Sequence, residues 1–335
     1  MFKDDYFFMK HALRLAKKGR GFTKPNPMVG AVIVQSANQP EIIGEGYHRK
    51  YGEDHAEVAA IKDCLAKSKT GGNLIKGASM YVTLEPCCHH GKTPPCTKAI
   101  IHSGIKKVFI ACKDPSKKAA GKGVKTLKAA GIEVEMMEKI TQKAKSLNKH
   151  FFTFHEKNRP FITLKIAISL DGKVAEKRGV QTWLTGEKAK KYVSKLRQEH
   201  EAILIGTGTA STDNPHLGPS LRVILTGKRK LPKNLKIFRD KNHLILKNKT
   251  VKQAIKELYK RGITSVLVEG GPSVFTNFLK ANLADEIHFL IAPKILGPEA
   301  LHFIDSKKIN LNKISLSTRS VQKLDSDTLV IATLQ

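Results

Sequence analysis

The chain has 335 residues, 41% hydrophobic and 26% charged, which is apolar material for two cores and excludes wholesale disorder. No run approaches the roughly 20 apolar residues of a membrane-spanning helix, and the opening Met1-Phe2-Lys3-Asp4-Asp5 carries acids where a secretory signal carries bases. Lys and Arg number 59 against 29 acids, a formal +30 that divides into +14 up to residue 150 and +16 beyond it.

The basic excess is thus spread over both halves and is not a tail. Such a field favours anionic ligands, whether nucleic acid, phosphorylated metabolites or a phosphate-bearing cofactor. Aromatic residues are only 6%, and none of the basic runs is interleaved with them as a stacking platform requires. Five cysteines, three of them crowded at 87, 88 and 96, do not make a secreted disulfide framework, which points to the cytoplasm.

In chain order, Met28 to Val34 reads as a buried strand and Ile42 to Tyr47 as its hairpin partner, across a polar turn containing Asn38 and Pro40. His55 to Lys67 has helical spacing in Val58, Ile61 and Leu65. Met80 to Leu84 is a strand ended by Glu85-Pro86, and Pro95 to His102 a helix with proline in its first turn. Lys107 to Cys112, Val124 to Ala130 and Ile132 to Met136 continue as strand, helix, strand. The pattern lapses between Leu147 and Arg159, where a linker (148–160) separates a first domain (1–147) from a second (161–335).

In that second domain, strands are expected at Phe161 to Leu170, Ala202 to Ile205, Arg222 to Thr226, Leu244 to Leu246, Ser265 to Glu269, Glu286 to Ile291 and Thr328 to Leu334. Helices fit at Glu187 to Gln198, Val251 to Arg261 and Ser273 to Ala281. Alternation of this kind implies two α/β domains on mostly parallel sheets.

The sharpest chemical signal is His55-Ala56-Glu57, then Glu85-Pro86-Cys87 and Cys96. One imidazole and two thiolates are zinc donors that leave a fourth, open position for water. A glutamate two residues from the histidine, at the same helix start, is placed to accept and return that water's proton. Zinc deaminases of bases carry H-x-E followed by P-C-x-x-C; here eight residues, not two, separate the cysteines. The competing reading is a closed structural site with Cys88, His89 or His90 as fourth ligand, which would leave Glu57 without a role. Cys64 and Cys112 read as core cysteines, and His11 and His102 as surface or packing histidines.

Pro25-Asn26-Pro27-Met28-Val29-Gly30, His55-Ala56-Glu57-Val58 and the run Thr83 to Cys96 resemble the bifunctional riboflavin-biosynthesis deaminase/reductase family, whose own form includes the long inter-cysteine insert. The resemblance covers essentially the whole chain. It implies a cytidine-deaminase-like zinc domain followed by a dihydrofolate-reductase-like domain. One zinc would sit on His55, Cys87 and Cys96, with Glu57 as proton shuttle and Asn26 bonded to substrate. The substrate would be a phosphorylated diaminopyrimidinone, first deaminated and then reduced by NADPH from a ribosyl to a ribityl chain.

Without the family, the second domain offers Val268 to Ser273, a strand running through glycines into a helix start, and Gly206-Thr207-Gly208-Thr209 after another strand. Neither matches G-x-G-x-x-G, and Ser169 to Lys173 could be a plain hairpin turn. The resemblance adds NADPH contacts at Ala167, Trp183, Thr209, Asp213 and the turn Gly271, Pro272, Ser273, Val274, Phe275, Thr276 and Asn277. It adds substrate contacts at Gln181, Arg197, Leu217 and Glu269, and pairing into a homodimer or higher homo-oligomer. After Leu217 the family's Thr-x-Arg, a phosphate contact, is missing; Gly218-Pro219-Ser220-Leu221 leads instead to Arg222 at the next strand. Two rival functions compete with this reading: a nucleic-acid-editing deaminase with a C-terminal binding module, and a non-enzymatic adaptor. The long insert speaks against the first, and Glu57 against the second. A small-molecule enzyme with no nucleic-acid or membrane partner is the expectation.

Overall fold

A computed structural model of the chain describes residues 3–36, 39–67, 73–228, 230–305 and 314–335. Its contacts divide it into two compact units, Met1–Lys157 and Asn158–Gln335.

The first unit is a five-stranded sheet of β1 (Gly30–Ser36), β2 (Pro40–Tyr47), β3 (Ser79–Val82), β4 (Lys107–Ile110) and β5 (Glu133–Met136), in the order β2-β1-β3-β4-β5. Its helices are α1 (Lys3–Ala16), α2 (Ala56–Lys67), α3 (Cys96–Ser103), α4 (Lys122–Ala129), α5 (Glu138–Leu147) and α6 (Lys149–Lys157). Both faces are covered. Phe8, Met9, Ala12 and Leu13 of α1 share a buried cluster with Ile140 and Ala144 of α5 and Phe152 of α6. Ala56, Ala60, Ile61 and Cys64 of α2 share another with Ile100 of α3 and Leu127 of α4.

Three features of this unit differ from expectation. The sheet is mixed: β2-β1-β3 is antiparallel and β3-β4-β5 parallel. The stretch expected as linker is helical over Lys149–Lys157, because Phe152 anchors it to the core. Asn148, just before it, clamps Met28 by accepting from its N–H and donating to its C=O, both at 2.8 Å. Helix α1 had no counterpart in the expected elements, and Asn38 lies outside the described residues.

The second unit holds β6 (Phe161–Ser169), β7 (Lys173–Ala175), β8 (Ala202–Gly206), β9 (Leu221–Thr226), β10 (His243–Lys247), β11 (Ser265–Val268), β12 (Glu286–Ala292), β13 (Leu301–His302), β14 (Leu316–Leu324) and β15 (Asp327–Leu334). Eight of them form one sheet, β10-β9-β8-β11-β6-β12-β15-β14, parallel from β10 to β12 and antiparallel beyond. The helices are α7 (Glu187–Gln198), α8 (Thr207–Asp213), α9 (Val251–Lys260) and α10 (Pro272–Lys280). Helices α9 and α10 fill one face with Ile255, Leu258, Phe275 and Phe278. Leu196 of α7 and Ala210 of α8 cover the other.

Ser169 to Lys173 is a turn, with Gly172 at φ +73°, but β7 pairs with β13 and makes no hairpin with β6. The Asp171 carboxylate holds the far loop by accepting from the N–H groups of Leu296 and Gly297. Among the described residues no helix is long and apolar enough to cross a membrane.

Candidate active sites

His55 ends the loop before α2 and its C=O accepts the N–H of Ala59, which fixes the imidazole at the helix start. Cys87 follows β3, and Cys96 opens α3. The His55 Nδ1 lies 3.2 Å from Cys96 Sγ and 3.6 Å from Cys87 Sγ, and the three donor atoms all lie within 4.8 Å of one another. Tetrahedral zinc with ordinary bond lengths separates a nitrogen and a sulfur ligand by about 3.6 Å, so the donor set fits the ion. Among the described residues this is the one cluster of three such ligands. Neither Cys88, His89 nor His90 belongs to it. His89 and His90 are exposed.

Glu57 stands in the first turn of α2, 3% exposed. Burial, and then the negative charge of Cys87, push its carboxyl up to about 7, where it can both take and give a proton near neutrality. Hydrogen bonds from Cys96 and, after a burial cost, from His55 bring the Cys87 thiol down to about 4. The Cys96 thiol is pushed up, first by its hydrogen bond to Cys87 and then by burial. His55 is raised, first by its bond to Cys87.

Asn26 is half-buried, and its Nδ2 lies 3.2 Å from His48 Nε2. The other imidazole nitrogen of His48 is 3.0 Å from the carbonyl of Asp54. Nδ1 therefore donates to the carbonyl and Nε2 accepts from Asn26, a neutral tautomer that burial favours by lowering the pKa of His48. His48 is 2% exposed and its ring meets that of His55 edge-on at 5.2 Å. The sequence reading missed it, because a single histidine after a strand carries no spacing signal.

In the second unit the residues expected at one site meet only in part. Arg197 grips Glu269 with two nitrogens, at 2.7 and 2.8 Å, and donates to the carbonyl of His216 at 3.1 Å. Lys165, another residue not singled out from the sequence, lies 3.8 Å from the same carboxylate. Burial lowers the Lys165 pKa and raises that of Asp213, which faces Lys165 from the end of α8. The two cations outweigh the burial of Glu269 and hold it below its usual range.

Thr209 approaches the α10 turn: a Cβ built on Gly271 would stand 3.6 Å from its Oγ1. The starts of α8 and α10 thus converge at the ends of β8 and β11, presenting N–H groups and positive helix ends to the same space, which suits a phosphate-bearing cofactor. Gly271, Pro272, Ser273, Val274 and Asn277 are half-buried there, whereas Phe275 and Thr276 turn into the core. Ala167 is half-buried on β6 and Gln181 is exposed.

Trp183 is 67% exposed, so it is no core anchor; the Lys190 ammonium lies 5.0 Å from its ring centre. Leu217, 1% exposed, packs among Leu196, Ile203 and Ile224, which leaves a ligand only its backbone. Arg222 is likewise buried on β9, bonded to the carbonyl of Ile237 and to Asp240, and so is spent inside the unit.

Two family models match. The "cytidine and deoxycytidylate deaminase zinc-binding region" covers residues 2–112, and the "RibD C-terminal domain" covers 160–330. The riboflavin biosynthesis protein RibD of Aquifex aeolicus is 41% identical over 324 residues, 88% of each chain. That of Bacillus amyloliquefaciens is 41% identical over 326 residues, 87% of this chain and 85% of its own. Among solved structures, RibD of Acinetobacter baumannii superposes with a TM-score of 0.91 at 34% identity over 99% of both chains. A diaminohydroxyphosphoribosylaminopyrimidine deaminase/5-amino-6-(5-phosphoribosylamino)uracil reductase from Thermotoga maritima gives 0.86 at 37%, again over 99% of both.

A zinc-type deaminase unit followed by a reductase unit is the class these sites and this topology define. The chain belongs to the RibD family, the bifunctional deaminase–reductases of riboflavin biosynthesis. Its two domains imply zinc and a nicotinamide cofactor, and nucleic-acid editing is not the favoured function.

Proposed function

We propose that the first unit deaminates 2,5-diamino-6-(5-phosphoribosylamino)pyrimidin-4-one and that the second reduces the ribosyl chain of the product with NADPH. The observation that carries the deaminase half is the convergence of His55, Cys87 and Cys96 beside a buried Glu57 raised to about 7.

Zinc held by these three residues would bring a water toward neutrality as a nucleophile. Glu57, buried beside the three ligands, would take a proton from that water and return it to the departing ammonia. Asn26, oriented by His48, holds the pyrimidine.

In the second unit, NADPH would supply hydride and lie across the starts of α8 and α10, against Thr209, Asp213 and the Gly271–Asn277 turn, with Ala167 and Trp183 at its edge. Arg197 and Glu269 hold the substrate, with Gln181 and the backbone at Leu217 beside it. The two phosphorylated ligands suit a chain of charge +30. None of the five cysteines is in a disulfide, which suits a reducing cytoplasm, and we take the working form to be a homodimer or higher homo-oligomer.

The test is a coupled one on purified, zinc-loaded protein given the diaminopyrimidinone and NADPH. One ammonia released and one NADPH oxidised per substrate is the expected result. Ammonia without NADPH oxidation would remove the reductase half of the proposal, and no ammonia the deaminase half.

A further inference from the structure

The carboxylate of Glu85 is 3% exposed and two residues from Cys87, yet it is not part of the ligand cluster. Oε2 accepts from the N–H groups of Asp114 at 3.2 Å and Gly121 at 3.0 Å, and Oε1 from that of Val124 at 3.2 Å. Two N–H groups at the start of α4 and one from the loop after β4 converge on this buried carboxylate.

The contact continues along the backbone. A Cβ on Gly123 would stand 2.1 Å from the Pro86 carbonyl oxygen and 3.2 Å from Glu85 Oε1, so α4 is seated directly on the Glu85-Pro86 segment. On the other side, the Cys87 carbonyl accepts from Thr97 at 3.1 Å, and the Cys96 N–H donates to Cys87 Sγ at 3.3 Å. The turn carrying Cys87 is thus clamped between two helix starts. One clamp, at α3, is made by the ligand residues themselves; the other is Glu85.

We propose that Glu85 is a positioning residue for the zinc centre, fixing the Cys87 turn against α4 so that its sulfur stays within reach of His55 and Cys96. This rests on the reading of these three residues as zinc ligands. A carboxylate is required because all three partners are donors. Glutamine offers one acceptor oxygen and turns an NH₂ toward the remaining N–H, and aspartate is one methylene short.

The test is the rate of zinc release from the intact protein to 4-(2-pyridylazo)resorcinol, for wild type, Glu85→Gln and Gly123→Ala, with reductase turnover measured in the same samples. Loss of a residue that supports a metal site from outside its ligand shell weakens metal binding about 10- to 100-fold. Both variants are expected to release zinc at least about tenfold faster while reductase turnover is unchanged. Leu127→Ala, a cavity in the core under the same helix, separates positioning from stability: it should lower the melting temperature without that acceleration.

Wild-type protein that holds no zinc would overturn the ligand reading itself. Zinc held by wild type and equally well by Glu85→Gln would overturn the role of Glu85. Acceleration of the same size in Leu127→Ala would reduce that role to stability.

Discussion

Arg197 and Glu269 face each other through two parallel hydrogen bonds of 2.7 and 2.8 Å, from the end of α7 to the end of β11. Lys165 lies 3.8 Å from the same carboxylate, so one buried anion holds two cations. Removing the anion strands both. Breaking a buried pair costs roughly 3–5 kcal/mol, and Glu269→Gln is expected to lower the stability of the second unit by an amount in that range. Its reductase turnover should fall while ammonia release persists. Thermal unfolding followed together with both activities checks this; loss of both activities in parallel would contradict it.

Glu57→Gln keeps the size of the side chain and removes its proton chemistry. General acid–base groups contribute about 10²- to 10⁴-fold, and deamination should fall by that factor with zinc content unchanged. Metal analysis beside an ammonia assay decides whether the loss is chemical.

His48 gives a pH dependence. Burial lowers its pKa, so below the ordinary histidine value of 6.5 the unfolded chain binds a proton that the folded one resists. The stability that a neutral His48 contributes is present above pH 6.5 and is lost as the pH falls below it. Comparing melting temperatures at pH 7.5 and 5.5, wild type should lose more in acid than His48→Gln. An equal loss in both would assign the acid sensitivity elsewhere.

Trp183, the single tryptophan, stands exposed in the second unit. NADPH bound against it should quench its emission in a saturable titration, and Gly271→Val, which fills the turn opposite Thr209, should weaken that titration about tenfold or more. Unchanged fluorescence at saturating NADPH would place the cofactor away from Trp183.

Much of this was legible in the sequence, for identifiable reasons. Zinc ligation demands particular atoms at short range, so His55, Glu57, Cys87 and Cys96 advertise themselves by type and spacing. Helix α7 was legible to the residue because Glu187–Gln198 is strongly amphipathic, with Ala189, Val193 and Leu196 buried. Lys165 was hidden because its partner Glu269 follows a strand that is five along in the chain, and only the direct pairing of β11 with β6 brings the two together.

Strand β14 was missed because Leu316–Leu324 is exposed on most positions and shows no apolar alternation. The helical period of α1 is present in Phe8, Met9, Ala12, Leu13 and Ala16, all buried. Leu217 and Trp183 show the converse limit. The family pattern assigns them ligand contacts, but only packing reveals that the leucine is sealed in the core and the tryptophan stands in solvent.

The central claim is that two separate sites on one chain act in succession. Its most direct test is to give Glu57→Gln protein, zinc-loaded, first the diaminopyrimidinone and then the already deaminated ribosyl compound, with NADPH present throughout. The account predicts almost no ammonia and no NADPH oxidation from the first, and wild-type NADPH oxidation from the second. Ammonia released at the wild-type rate, or NADPH left unoxidised with the deaminated compound, would contradict it.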